Sequence, residues 1–249
     1  MTDKQYSDMI LQGHFLYWDM LSTLHGVESH NESNLRWLTG NINYNYYIGD
    51  VQVDDVAGRI KNGDIPNNLL FLVDNPDTDP SEPFVASGMF KKDFISFGMA
   101  HELLDIQLPK PDNRLNVFRV REISQLKAAG AILNSVFHYR LFTFGHFLNM
   151  FENNGQFFYL AEYDGIPVGA VMAQHKDSFV NISWVGTLPG YRKLGIAGYL
   201  IQMAERDGIL NGKTTGVLHG FPDAVGSYRR IGYKTYSRGI GIEFIGGKS

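Results

Sequence analysis

The apolar positions in the first half of the chain form short runs separated by breaks. Apolar residues at helical spacing predict helices over residues 3–25, 53–62 and 81–92. Short apolar or alternating runs predict strands or extended segments over residues 41–51, 69–73 and 94–99. The sequence Pro109-Lys110-Pro111-Asp112 then interrupts the pattern with two prolines and two charged residues, and it is the best linker in the chain.

The second half predicts a more regular order: strand, helix, three antiparallel strands, helix, strand, helix, strand. The strands are predicted over residues 115–120, 157–163, 166–174, 180–185, 216–219 and 236–244. The helices are predicted over residues 123–139, from Ile196 to a stop at Gly208, and from Pro222 to about Gly232. Between the first two antiparallel strands, Asp164-Gly165 predicts a type I′ hairpin turn.

Charge separates the two halves of this 249-residue chain. Residues 1–110 contain 7 Lys and Arg against 16 Asp and Glu, whereas residues 111–249 contain 15 against 10. Because the sign changes at the linker, the sequence predicts an amino-terminal α/β domain over residues 1–110 and a second domain over residues 111–249. The overall net charge of −4 provides no basic field that would attract nucleic acid.

Composition and spacing exclude several classes of protein. The chain has no cysteine, which excludes a disulfide scaffold, a thiolate metal site and a cysteine nucleophile. No uncharged run reaches the roughly 18 apolar residues of a membrane span, and no secretory signal is visible, so we expect a cytoplasmic protein without a membrane partner. His101-Glu102-Leu103-Leu104-Asp105 departs from the zinc-protease pattern at its last position, and we expect no metal site.

The segment with candidate chemistry is a loop that joins a strand to the start of a helix. Gly195, Ala197 and Gly198 are small, so an anion can approach the free backbone N–H groups of the helix start. Arg192 and Lys193 place two positive charges beside them. The sequence therefore predicts a phosphate or pyrophosphate site at residues 192–198, which we call the anion loop. The alternative is an ordinary turn with two solvated basic residues.

The anion loop does not fit two common phosphate-binding motifs. In a P-loop, Lys and Ser or Thr would stand where the chain has Ile196 and Ala197. Of the dinucleotide fingerprint, only the tail, Gly195-x-x-Gly198, is present. A nucleotide-binding α/β domain of another class stays open as an alternative.

Two motifs in this half resemble those of the GNAT family of acyl-CoA N-acyltransferases. Arg192-Lys193-Leu194-Gly195-Ile196-Ala197 matches the signature Gln/Arg-x-x-Gly-x-Gly/Ala, and Tyr228-Arg229-Arg230-Ile231-Gly232-Tyr233 matches Tyr-x-x-x-Gly-Phe/Tyr. The resemblance covers roughly residues 115–245. It implies an α+β (mixed α/β) GNAT fold, with a central, mostly antiparallel twisted sheet flanked by helices.

The resemblance also implies an activity. It is an N-acetyltransferase that moves an acetyl group from acetyl-CoA to a primary amine of a small molecule or peptide by direct attack, as a monomer or homodimer. The residues implied to bind acetyl-CoA are Val185, Gly186, Thr187, Arg192, Lys193, Leu194, Gly195, Ile196, Ala197 and Gly198. A backbone N–H near residues 184–186 would polarise the thioester carbonyl, and Tyr228 would protonate the departing thiolate. The alternative is a GNAT-fold module that binds acyl-CoA without turnover.

A general base for the acceptor amine is less clearly marked. His219 ends the strand before the helix of Tyr228, and its ordinary pKa of about 6.5 suits a base. Glu162, His175 and water are the alternatives. Phe221 stands where the family commonly has Asn, seven residues before the tyrosine, so that contact is missing.

The first half has no Arg-x-x-Gly-x-Gly/Ala match. Around Arg36-Trp37-Leu38-Thr39-Gly40 and the strand that follows, it loosely resembles the degenerate amino-terminal half of tandem GNAT proteins. The alternative is an unrelated α+β cap. In either case we expect the acidic half to shape the acceptor site, where its charge would favour a cationic amine.

Overall fold

The computed structural model describes residues 1–32, 34–41, 44–47, 52–104, 112–137, 142–152 and 155–246. The linker residues 109–111 and Asp105 of the HExxH-like motif lie outside these ranges. Seven α-helices are described: α1 Asp3–Ser22, α2 Val53–Asn62, α3 Glu82–Ala86, α4 Ile123–Phe137, α5 Phe144–Glu152, α6 Ile196–Leu210 and α7 Pro222–Arg230. None of these described helices is long and apolar enough to cross a membrane.

The described strands form a single sheet. They are β1 Val27–Asn31, β2 Leu35–Gly40, β3 Tyr44–Tyr47, β4 Asn68–Val73, β5 Phe90–Glu102, β6 Leu115–Arg119, β7 Gln156–Tyr163, β8 Ile166–Lys176, β9 Phe179–Thr187, β10 Thr215–Gly220 and β11 Lys234–Phe244. Their order across the sheet is β1-β2-β3-β4-β11-β5-β10-β9-β8-β7-β6. Most neighbours are antiparallel, and the parallel pairs are β3 with β4 and β9 with β10.

The two halves of the chain share this sheet through β5. This strand belongs to the first half, but it is hydrogen bonded between β10 and β11 of the second half, antiparallel to both. β11 in turn pairs with β4, so that first-half and second-half strands alternate at the centre. The hydrogen-bonded sheet therefore continues across residue 110, and the division into domains 1–110 and 111–249 stays a prediction.

Helices cover both faces of the carboxy-terminal strands, because the side chains of each strand alternate between the faces. On β7, Phe158 and Leu160 pack in a cluster with residues of α1, α4 and α5. Tyr159 and Ala161 pack in a different cluster, with residues of α6 and α7. The resulting mixed α/β architecture, with a large and mostly antiparallel sheet between helices, confirms the predicted fold class.

Most predicted elements of the second half are confirmed, including the hairpin turn, where Asp164 has φ 52° and Gly165 has φ 76°. The predicted helix stop at Gly208 is wrong. Gly208 lies inside α6. The helix packs so closely on β9 that a Cβ at this position would collide with Val180, and the glycine avoids that collision. The helix α5 was not predicted.

In the first half, the predicted helix over residues 81–92 is correct only for the short α3. Its last part, from Phe90, is instead the start of β5, because Phe90 is buried against Phe84 and Phe244 in the sheet. The strands β1 and β2 were not predicted. Their burial depends on partners that the local pattern does not reveal.

Candidate active site

The sheet opens between its two parallel carboxy-terminal strands, β9 and β10. Their pairing runs from Thr215 opposite Phe179 to Leu218 opposite Ile182 and then ends. Beyond that point β9 stays paired with β8 and β10 stays paired with β5. The facing edges of residues 183–187 and 219–220, which we call the fork, therefore have backbone groups that do not pair with each other.

A bulge lies on the β9 side of the fork. Ala170 faces Gly186 and Met172 faces Ser183, so two residues of β9, Trp184 and Val185, oppose one residue of β8. Trp184 has φ 51°, a left-handed conformation that is unusual for a bulky residue. The bulge turns backbone groups of β9 out of the regular ladder at the opening of the fork, and such strained backbone is common at functional sites.

Helix α1 of the first half bridges the two strands of the fork. His14 and Tyr17 are three residues apart and lie on one face of the helix. Trp184 on β9 donates a hydrogen bond from Nε1 to the Tyr17 hydroxyl at 3.0 Å, and the two rings meet edge to face. On the β10 side, the rings of His14 and His219 are 5.3 Å apart. The first half of the chain therefore forms one wall of the fork.

The anion loop is separated from the fork by four residues, because β9 ends at Thr187. A short 3₁₀ turn over Pro189–Tyr191 leads into it. Lys193 and Gly195 both have left-handed backbone, with φ 68° and 78°, and Gly195 is the N-cap of α6. The first backbone hydrogen bond of the helix runs from Tyr199 to the Gly195 carbonyl. The backbone N–H groups that precede Tyr199 in the first turn have no helical carbonyl to which they can donate.

The surface of the anion loop is open and positively charged. Arg192, Lys193, Leu194 and Gly195 are exposed, and the first turn of α6 contains no acidic residue. The guanidinium of Arg192 donates a hydrogen bond of 3.2 Å from Nε to the Thr187 carbonyl. This bond holds the Nε atom of Arg192 beside the end of β9. An anion at this loop meets backbone donors, the helix dipole and two side-chain cations.

The predicted loop residues differ in what they offer. The side chain of Ile196 is buried against the sheet, so this residue presents only its backbone. Ala197 and Gly198 are half-buried. A Cβ on Gly169 of β8 would lie 2.9 Å from Ile196, so this glycine lets α6 pack closely on the sheet and places its N-terminus beside the fork. Val185, Gly186 and Thr187 end β9.

Tyr228 lies on the other side of the sheet from α1, in α7. Its ring packs on the face of Gly220, where an added Cβ would come within 2.8 Å of the ring, so that Tyr228 lies beside the β10 edge of the fork. Burial raises the pKa of its phenol to about 12. The phenol is a protonated donor at neutral pH.

His219 lies on the β10 edge of the fork, on the side covered by α1. Burial lowers the pKa of its imidazole to about 4, so the ring is neutral at neutral pH. Its Nε2 atom is buried and has no partner in the described part of the chain. Burial lowers the pKa of the neighbouring His14 as well.

The structure does not bring the alternative bases to the fork. His175 pairs with Val180, towards the opposite end of β9 from the bulge, so about 15 Å of strand separates it from Trp184 and Val185. Glu162 lies on β7, which β8 separates from β9. His101 of the HExxH-like motif contacts the buried Glu205, with Nδ1 3.5 Å from Oε1. Within the described ranges, no group of three or more His, Cys, Asp or Glu residues is arranged to hold a metal ion.

Comparison with known sequences finds a family match within the second half of the chain. Residues 126–233, from α4 to the end of the second predicted motif, match the sequence model of the acetyltransferase (GNAT) family. These residues form a GNAT acetyltransferase domain. Among curated proteins, none matches the chain by sequence.

Solved structures of GNAT proteins resemble most of the chain, including most of the first half. A GCN5-related N-acetyltransferase from Kribbella flavida is 16% identical, with a TM-score of 0.67 over 94% of this chain and 96% of its own. One from Sphaerobacter thermophilus is 15% identical, with a TM-score of 0.66 over 95% and 87%. A fungal GCN5-related glucosamine N-acetyltransferase region is 15% identical, with a TM-score of 0.61 over 87% and 31%. At these identities the likeness shows the fold.

No sequence motif predicts two of the residues at the fork of the GNAT domain. His14 and Tyr17 belong to a helix that was recognised, but no motif marks them, and their partners lie more than 160 residues away. The one signal in the sequence is that both are polar aromatic residues at helical spacing with the apolar residues Ile10 and Leu21.

Proposed function

We propose that this protein is an N-acetyltransferase that moves the acetyl group of acetyl-CoA to a primary amine of a small molecule or peptide. The observation that carries the proposal is that the fork and the anion loop lie at the same end of β9, separated by four residues. An elongated ligand with an anionic end can bind both at once. The GNAT domain supports acetyl transfer as the reaction.

The residues present fit acetyl-CoA. The unpaired edge of β9 at residues 183–187 can hydrogen bond the amide groups of a pantetheine arm as an added strand would. The anion loop, residues 192–198, would hold the pyrophosphate through its backbone N–H groups, with Arg192 and Lys193 supplying charge. Backbone N–H groups at the bulge of Trp184 and Val185 would polarise the thioester carbonyl.

The reaction exchanges one bond for another. The amine nitrogen forms a bond to the carbonyl carbon of the thioester, and the bond between that carbon and sulfur breaks. The amine loses one proton and the thiolate gains one, so the products are an N-acetyl amine and CoA. No cysteine exists in the chain to carry the acetyl group, so direct attack is the simplest route.

Two side chains on opposite sides of the sheet are our candidates for the proton transfers. Tyr228 would donate its phenolic proton to the leaving thiolate, because its raised pKa keeps it protonated. His219 would accept the amine proton, because its lowered pKa keeps the ring neutral and Nε2 has no partner among the described residues. A pKa of about 4 makes it a weak base, so water in place of His219 is the alternative acceptor of this proton.

The test combines binding and turnover. Calorimetry with acetyl-CoA, ATP and NAD should show binding of acetyl-CoA alone, and the double variant Arg192→Ala with Gly195→Val should abolish it. A panel of primary amines should then release CoA thiol from acetyl-CoA, with one N-acetyl product formed per thiol. Binding without turnover of any amine would instead identify a non-catalytic acyl-CoA module. Binding of ATP or NAD in place of acetyl-CoA would refute the assignment.

A further inference from the structure

A cavity of about 240 Å³ opens beneath the first turns of α1, on the sheet face that this helix covers. It is lined by residues of α1, of the end of β4 and of β11, and by His219 of β10. Because His219 is a residue of the fork, the cavity ends where acetyl transfer would take place. None of the residues implied to bind acetyl-CoA lines it.

The pairing of the strands gives the length of this cavity. Val73, Arg238, Phe97 and Gly220 face one another in turn across β4, β11, β5 and β10. Asp74 follows Val73 at the outer end, and His219 precedes Gly220 at the inner end. The backbone positions of these two residues are therefore about three strand spacings apart, or about 14 Å. A ligand that reaches from one to the other must be extended and can carry a group at each end.

The outer end of the cavity is built to accept a cation. The ammonium of Lys4 lies 2.9 Å from a carboxylate oxygen of Asp8 and 3.3 Å from one of Asp74. All three side chains are exposed, so a ligand ammonium can displace that of Lys4. The other lining cation, Arg238, is already paired with Asp79 at 3.4 Å. The two carboxylates of Asp8 and Asp74 face the single ammonium of Lys4, which leaves one negative charge at this end that a ligand cation can offset.

The inner end has an unsatisfied polar atom. Nε2 of His219 is buried and has no hydrogen-bond partner among the described residues, although His219 lines the cavity. Leaving such an atom unpaired destabilises a folded protein, unless a ligand or water satisfies it. An amine nitrogen at this position would lie at the fork.

We propose that this cavity binds the acceptor, and that the acceptor is an elongated amine with a second cationic group. Its reacting nitrogen lies at His219 and its remote ammonium lies between Asp8 and Asp74. This inference rests on the proposed acetyl transfer at the fork and adds the class of acceptor. It gives the first half of the chain a function, since α1 and β4 supply most of the lining.

The test compares three amines with the same eight-carbon chain, namely diaminooctane, octylamine and aminooctanoate, in which the group opposite the amine is ammonium, methyl or carboxylate. With acetyl-CoA present, we expect kcat/KM for diaminooctane to be at least about tenfold higher than kcat/KM for octylamine. We expect aminooctanoate to have the lowest kcat/KM of the three. Equal values for diaminooctane and octylamine would overturn the proposal.

Variants at the outer end separate a charge effect from loss of fold. The double variant Asp8→Asn with Asp74→Asn should raise KM for diaminooctane about tenfold and leave that for octylamine unchanged. Lys4→Gln removes the competing ammonium and should lower KM for diaminooctane. Asp19→Asn, an exposed acid on the same helix away from the cavity, is the control. A preference for the diamine that survives the double variant would contradict the assignment.

Calorimetry distinguishes failure of this inference from failure of the proposed function. If acetyl-CoA does not bind, the proposed acetyl transfer fails. If acetyl-CoA binds but diaminooctane neither binds to the complex with CoA nor is acetylated, the cavity is not the acceptor site, whereas turnover of other amines would leave the acetyltransferase assignment intact.

Discussion

The indole of Trp184 donates a hydrogen bond of 3.0 Å to the hydroxyl of Tyr17, which comes 167 residues earlier in the chain. Trp184 is the left-handed residue of the β9 bulge, and Tyr17 belongs to the helix that bridges the fork. Phe142 also packs against the indole, with ring centroids 4.7 Å apart. The conformation of the bulge is therefore maintained by packing from both halves of the chain.

Removing this hydrogen bond should disturb the fork more than the fold. Tyr17→Phe keeps the ring but loses the acceptor, and we expect a loss of about 1 kcal/mol in the free energy of unfolding. Because the bulge carries the proposed thioester donors, kcat for acetyl transfer should also fall several-fold. Tyr6→Phe is the matched control, since its hydroxyl bonds Glu102 from the same helix, away from the fork. A similar fall in kcat for both variants would argue against a specific effect at the bulge.

Gly195 is expected to matter for binding through its backbone conformation. The Cβ added by Gly195→Ala would have no atom within 4 Å. However, a residue with a Cβ is disfavoured at φ 78°, so the variant should lose about 1 kcal/mol of stability. If the backbone relaxes, the N–H groups of the anion loop turn, and Kd for acetyl-CoA should rise about tenfold. Gly63→Ala, with φ 80° and equally open space at the end of α2, should lose the same stability with unchanged Kd in calorimetry.

Tyr228 is expected to act on turnover and not on binding. Tyr228→Phe should lower kcat about 100-fold and leave Kd for acetyl-CoA unchanged, since only the donated proton is lost. The control is Tyr233→Phe, whose ring lies 6.3 Å away and whose hydroxyl donates to the buried Glu205 at 2.7 Å. That variant should lose stability and keep its kcat at temperatures where it is folded. Steady-state kinetics with thermal unfolding would test both, and an unchanged kcat in Tyr228→Phe would exclude it as the acid.

Three histidines whose pKa is lowered in the folded protein, His14, His175 and His219, predict a loss of stability at mildly acidic pH. Burial lowers the pKa of both His175 and His219 to about 4, whereas an unfolded histidine titrates near 6.5. Between these values the unfolded chain binds more protons, so stability is complete above pH 6.5 and declines as the pH falls towards 4. Each histidine contributes at most about 1.4 kcal/mol per pH unit.

Denaturant unfolding between pH 7.5 and 4.5 would measure this decline. His175 lies away from the fork. The variant His175→Gln should therefore reduce the slope of the unfolding free energy against pH by the contribution of one histidine. A slope identical to that of the unmodified protein would show that His175 is protonated in the folded state at pH 5.

Local sequence predicted much of the GNAT domain because its signals are short-range. The helix start at Ile196 follows from small residues after a strand, and the hairpin at Asp164 from the turn preference of Asp-Gly. The same reasoning failed at Phe90, where the residues before β5 have helical spacing but the sheet buries the phenylalanine. Gly208 resembled a helix stop, although the close approach of α6 to Val180 is the reason that glycine fits there.

The sequence by itself determined that two basic residues and small residues stand at a helix start in the second half, and that a tyrosine follows at family spacing, because each of these is encoded within a few consecutive residues. Only the tertiary structure decided that β5 enters the sheet between β10 and β11, and that α1 bridges the fork through His14 and Tyr17. Those contacts join residues far apart in the chain, and their stability comes from packing and burial, which local patterns do not specify.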